Sequence, residues 1–262
     1  MASQTIQHFF HPDSGTISYV FSDNETKEAI IIDPVADYDI AQDVISYESA
    51  QAILDHIQRN DLHIVAILET HVHADHLSGS FYLSKQLKVP IYVSEGVKEV
   101  YSYWKDELCL SELYHFEHFL LENEHMDFGQ SHLEVISTPG HTPSDLTFKI
   151  GDALFVGDSL FYHGTGRADF PGGGAEKMFE SIRKLYQMKD STEVYLCHNY
   201  PESEEQLIYK TTIGDEKHDN DFVDEETNQA QFVERREGRD HQLPPPKLIK
   251  PALEFNLTAH HS

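Results

Sequence analysis

The chain has 262 residues, 39% of them apolar, which is enough for one large α/β domain or two small ones around a buried core. Its formal net charge of −26 argues against nucleic acid and anionic membranes as partners, because phosphates would be repelled rather than stripped of counterions. The two cysteines, Cys109 and Cys197, are too distant in sequence for a Cys-x-x-Cys site, so neither a disulfide framework nor a thiolate zinc cluster is indicated.

No basic-then-apolar leader opens the sequence, and no run approaches the roughly 20 apolar residues that span a bilayer, so the expectation is a soluble cytoplasmic protein. Residues 16–21 and 29–32 are rich in aromatic and β-branched side chains and predict a hairpin turning at Ser22-Asp23-Asn24-Glu25. Asp33-Pro34 starts a loop, and residues 48–60 predict a helix capped by Ser46, with Ala52, Ile53, Ile57 and Ala50 on its apolar side. The apolar strand 64–68 follows, then a helix over 77–87, a short strand over 90–93 and a helix over 97–110. His115, His118 and His125 lie among aromatics and acids and read as surface histidines. Further strands are predicted over 132–136, 146–150, 153–156 and 193–196, with a glycine-rich loop over 161–174 and a helix over 176–188. The acidic stretch 214–226 reads as an exposed, mobile loop. Arg235, Arg236 and Arg239 fall on a predicted helix, followed by an extended strap at Pro244-Pro245-Pro246 and an apolar end. The simplest organisation is one domain over 1–200 with an extension over 201–262 packed on it.

Chemistry concentrates at strand ends. Thr70-His71-Val72-His73-Ala74-Asp75-His76 follows one predicted strand, and His141, Asp158 and His198 each follow another. If those strands share a sheet, their C-terminal ends bring up to five imidazoles and two carboxylates around one or two cations. Burying so many polar groups without such a partner would be costly.

These motifs in this order, with Thr138-Pro139-Gly140-His141-Thr142 and Gly157-Asp158, resemble those of the metallo-β-lactamase superfamily. The resemblance covers roughly residues 16–200 and implies an α/β fold, a four-layer αββα sandwich with the metal at one edge of its two sheets. In hydrolytic members such as glyoxalase II it implies one metal on His71, His73 and His141, a second on Asp75, His76 and His198, and Asp158 as bridge. Ala74, the string Gly164-Thr165-Gly166-Arg167-Ala168-Asp169-Phe170 and the tail from Phe232 to Leu248 are similar to the persulfide dioxygenases, most of all the bacterial kind. Two departures are Ala168, where threonine is usual, and Asn199, where aspartate often follows the histidine.

That resemblance implies one Fe(II) per chain on His71, His141 and Asp158, with His73, Asp75, His76 and His198 retained as supporting residues. Two histidines and a carboxylate leave three positions on iron for a thiol-derived ligand and O2. The implied reaction oxidises glutathione persulfide with O2 to sulfite and glutathione. Because glutathione carries two carboxylates, Arg167, Arg236 and Arg239 are the candidate substrate-binding residues. For Arg167 an equally weighted role is holding its own loop through Asp169. The rival reading is a thiolester hydrolase of glyoxalase II type with two zinc ions; a non-catalytic metal-binding module is a third. A homodimer is left open.

Overall fold

The computed structural model describes residues 4–261. Strands β1 (Gln4–His11), β2 (Thr16–Asp23) and β3 (Glu28–Ile32) open the chain, followed by β4 (Val35–Asp39), β5 (Val44–Ser46), α1 (Glu48–Asn60) and β6 (His63–Leu68). After β7 (Leu77–Ser78) come α2 (Ser80–Leu87), β8 (Ile91–Ser94), α3 (Val97–Trp104) and β9 (His118–Leu120). The second half contains β10 (His125–Phe128), β11 (Ser131–Ser137), β12 (Leu146–Ile150), β13 (Ala153–Phe155), α4 (Ala175–Leu185) and β14 (Glu193–Tyr195). It continues with β15 (Lys210–Thr212), α5 (Ile213–Asp219), α6 (Gln229–Asp240) and α7 (Ile249–Thr258).

Period-two burial explains why the sheets stack. In β2, Ile17, Tyr19 and Phe21 face Phe128, Phe148 and Phe155 of the opposite sheet, while Val20 points the other way, towards Ile53 and Ile57 of α1. The neighbouring strand repeats the pattern, with Ile30 and Ile32 inward and Ala29 and Ile31 towards the helices. One six-stranded sheet runs β1-β2-β3-β6-β8-β9 and the other β10-β11-β12-β13-β14-β15, with a small sheet β5-β4-β7 beside them. On the far side of the second sheet, Leu154 and Val194 pack against Met178 and Ile182 of α4 and Phe232 of α6. The four layers are therefore helix, sheet, sheet, helix. Among the described residues no helix is long and apolar enough to cross a membrane.

Several expectations needed correction. Residues 4–11 form the edge strand β1, paired with β2 from Gln4↔Asp23 to His11↔Thr16, and the predicted loop after Pro34 contains β4 and β5. Helix α1 has no side-chain cap from Ser46; instead Asp37 of β4 accepts from the Ser49 amide at 2.9 Å and its hydroxyl at 2.6 Å, and Ala52 faces solvent. The helix predicted over 97–110 stops at Trp104, and the one over 77–87 starts at Ser80, behind the two-residue strand β7.

The acidic stretch 214–226 is ordered, with Glu216, Asn220 and Val223 buried. Charge composition is misleading there because the acids have partners: Asn220 Nδ2 donates to Glu216 at 2.7 Å and to the Gly164 carbonyl at 3.0 Å. Burial raises the Glu216 carboxyl above its ordinary range. The apolar end of the sequence is the helix α7.

Candidate metal centre

The seven histidine and aspartate side chains converge, but from both sheets rather than one. His71, His73, Asp75 and His76 follow β6 in the first sheet, whereas His141, Asp158 and His198 follow β11, β13 and β14 in the second. The sheets are joined at this edge by the Leu146 amide to the Thr70 carbonyl at 2.8 Å and the Ile17 amide to the Cys197 carbonyl at 2.7 Å.

Hydrogen bonds fix the ring tautomers. The Thr70 hydroxyl has one proton, which it gives to Asp33 Oδ2 at 2.8 Å, so it must accept from His71 Nδ1 at 3.0 Å. The Nε2 lone pair of His71 is left free, buried and without a protein partner. His141 Nδ1 lies 2.7 Å from the Arg167 carbonyl, which can only accept, so His141 also offers Nε2. That Nε2 is 3.5 Å from Asp158 Oδ2. One donor atom each from His71, His141 and Asp158 lies within 4.8 Å of the others. Gly157, at φ +53°, lets the chain before Asp158 approach this closely, because a Cβ there would sit 2.8 Å from Thr70 Oγ1.

The remaining four residues form the other half of the cluster. His198 Nε2 is 3.5 Å from Asp75 Oδ2 and 3.4 Å from Asp158 Oδ1, and one atom each from His73, Asp75 and His76 also falls within 4.8 Å of the others. His76 Nδ1 meets the Thr16 hydroxyl at 3.2 Å, leaving Nε2 inward. His73 turns Nε2 towards Asp33 at 3.2 Å and Glu69 at 3.3 Å, with Nδ1 left without a protein partner.

Electrostatics divide the imidazoles. Burial, reinforced by the neighbouring rings, holds His71 well below the usual histidine range and brings His76 down to about 4, so both are neutral and have a lone pair for a cation. Burial opposes charge on His73 as well, but Asp33 and Glu69 overcome it and raise His73 well above its ordinary value. Asp75 is held low by His198 and His76 against its own burial. The partnerless buried atoms include Nε2 of His71, Nε2 of His76 and Asp158 Oδ1. So many would be expensive to bury empty, and a cation is the partner that satisfies them together.

The metallo-beta-lactamase superfamily pattern matches residues 12–198. The chain belongs to the metallo-beta-lactamase superfamily. Within the superfamily it is 36% identical over 261 residues to a "Beta-lactamase hydrolase-like protein" of Xylella fastidiosa, covering 96% of this chain but only 60% of that protein's length. It is 31% identical to human "Persulfide dioxygenase ETHE1, mitochondrial", over 74% of this chain and 68% of that protein. Among solved structures, ETHE1 from Myxococcus xanthus superposes with a TM-score of 0.81 at 28% identity, over 98% of this chain and 100% of that one.

The arginines are placed unequally. Arg236 is directed inward, 3% exposed, and its ion pair with Asp240 at 2.7 Å keeps it from facing a substrate. Arg167 grips Asp169 through two bonds of 2.6 and 2.8 Å and gives a third, of 2.9 Å, to the Pro244 carbonyl, which is the loop-holding role. Arg239 is exposed, and no ion pair of its own is found among the described residues.

Sequence reasoning missed the residues behind the ligands. Asp33 binds the Thr70 amide and hydroxyl at 2.7 and 2.8 Å, Glu69 faces His73 while taking hydrogen bonds from Ser78 and Ser80, and Asn256 of α7 reaches back to the histidine loop. The available signal was chemical: a carboxylate directly after an apolar strand, and one asparagine inside an apolar helix.

Proposed function

We propose that this chain is an Fe(II)-dependent persulfide dioxygenase that oxidises glutathione persulfide with O2 to sulfite and glutathione. The observation that carries the reading is the triad of His71, His141 and Asp158, whose donor atoms lie within 4.8 Å of each other, a two-histidine, one-carboxylate set suited to oxygenase iron. Similarity to a persulfide dioxygenase at 31% identity supports it.

His71, His141 and Asp158 would hold one Fe(II). Bound there, iron supplies oxygen activation and open positions for the persulfide sulfur and O2. The residues around it keep its ligands competent: Thr70 and the Arg167 carbonyl each retain the proton on Nδ1 of their histidine, so that Nε2 cannot protonate in its place. His73, Asp75, His76 and His198 cluster beside the triad and would orient bound ligands by hydrogen bonding. Arg239 is the candidate for a glutathione carboxylate. In balance, glutathione persulfide, O2 and water give glutathione, sulfite and two protons, with sulfur oxidised and O2 reduced.

A second reading, a two-metal thiolester hydrolase, is favoured by one feature, the approach of His198 to both Asp75 and Asp158 at 3.5 and 3.4 Å, the geometry of a second cation site. Metal content of freshly purified protein, combined with O2 uptake on adding glutathione persulfide, separates the two. About one iron per chain with O2 consumed is expected. Two zinc ions per chain with hydrolysis of S-lactoylglutathione, or persulfide turnover without O2 consumption, would overturn the proposal.

A further inference from the structure

We infer that the buried Arg236–Asp240 pair of α6 is a positioning device for the metal centre, acting on His141 and Asp158 through two peptide planes of the loop 165–168. The inference rests on the reading of His141 and Asp158 as metal ligands.

Both side chains are almost wholly buried, at 3% and 4% exposure, and lie one helical turn apart. Two guanidinium nitrogens of Arg236 meet Asp240 Oδ1, Nε at 3.1 Å and Nη2 at 2.7 Å. Each partner has one group left, and both are used on the same loop. Asp240 Oδ2 accepts from the Ala168 amide at 3.0 Å, and Arg236 Nη1 donates to the Thr165 carbonyl at 3.2 Å. The guanidinium is also stacked over Phe222, 4.8 Å from the ring centre.

The opposite edges of those two peptide units bind the site. The Ala168 amide belongs to the same plane as the Arg167 carbonyl, which accepts from His141 Nδ1 at 2.7 Å. The Thr165 carbonyl shares its plane with the Gly166 amide, which donates to the Asp158 carbonyl at 3.0 Å. Each peptide is therefore held on one edge by α6 and bound on the other to a ligand residue. A peptide is rigid about its C–N bond, so fixing one edge fixes the other.

The Asp240 carboxylate also polarises the peptide it accepts from, strengthening the carbonyl that holds His141. This gives His141 the equivalent of the carboxylate that commonly supports a metal-bound histidine, delivered through a peptide bond. A buried ion pair is weak as a source of stability, since an apolar pair of similar volume often does as well. Here it satisfies two backbone groups of a loop that has no strand or helix partner for them.

The test uses full-length protein loaded with Co(II), comparing Asp240→Asn, Phe232→Leu and His141→Ala with the parent by chelator competition and by the visible d–d spectrum. Phe232 lies fully buried on the same helix, one turn before Arg236, where it packs against Phe179 and the α4 core and takes no part in the hydrogen bonds to the loop 165–168. Asp240→Asn is expected to weaken Co(II) binding about 10-fold or more and to shift the spectrum, while Phe232→Leu lowers the melting temperature with the spectrum unchanged. If Asp240→Asn does not fold, the double variant Arg236→Met/Asp240→Leu, which removes both buried charges together, takes its place with the same expectation. Parent-like affinity and spectrum in the α6 charge variant, or equal spectral change in Phe232→Leu, would overturn the inference. Parent-like binding in His141→Ala would instead sink the ligand assignment.

Discussion

Asn256 offers the sharpest test of how the histidine loop is held. Its Nδ2 donates to the His73 carbonyl at 2.8 Å and the His76 carbonyl at 2.9 Å, and its Oδ1 accepts from the Ser78 amide at 2.7 Å. Three buried bonds at about 1 kcal/mol each give a loss of about 3 kcal/mol for Asn256→Ala. Partial rehydration could reduce it, because a neighbouring cavity of about 20 Å³ has room for one water. Asn256→Asp is isosteric yet expected to be worse, since both oxygens of a carboxylate are acceptors and one would now face two carbonyls. Urea unfolding with the slope held constant reads the stability, and chelator competition reads the metal, which should be held about 10-fold less tightly. An Ala variant within about 1 kcal/mol of the parent, or an Asp variant as stable as it, would refute the reasoning.

Acid should destabilise the metal-stripped protein by a route visible in His76. Its pKa is about 4 when folded against 6.5 when exposed, so the unfolded chain takes up the proton first and stability is lost as pH falls from about 6.5 to 4, by about 3 kcal/mol from this group. Urea midpoints that stay flat across that window would contradict the buried, neutral ring. For the substrate, Arg239→Ala should raise KM for glutathione persulfide with kcat little changed, the signature of lost uniform binding; an unchanged KM removes Arg239 from the site.

Much of the fold was legible where pattern and burial coincide. Strand β6, with its apolar run over 64–68, and helix α1, with Ile53 and Ile57 one turn apart, follow from periodicity because each buries a continuous face. The edge strand β1 escaped because it is only partly buried and carries polar side chains, so its pairing with β2 is set by backbone hydrogen bonds that composition does not record. The candidate ligands were legible as residue types after strands, but their division between two sheets was not. Arg236 shows the general limit: sequence displays its charge, whereas its partner Asp240 one turn on decides that the charge points inward.

The contact from Asn256 to the His73 carbonyl spans 183 residues of sequence. On the ribosome, a chain that has already produced every strand of both sheets still lacks the carboxamide that closes the histidine loop. Metal acquired at that stage would rest on a loop held by Thr16, Asp33, Ser144 and Leu146 but with two carbonyls open to water. A metal bound before α7 is made would therefore sit on a less restrained loop than one bound after it.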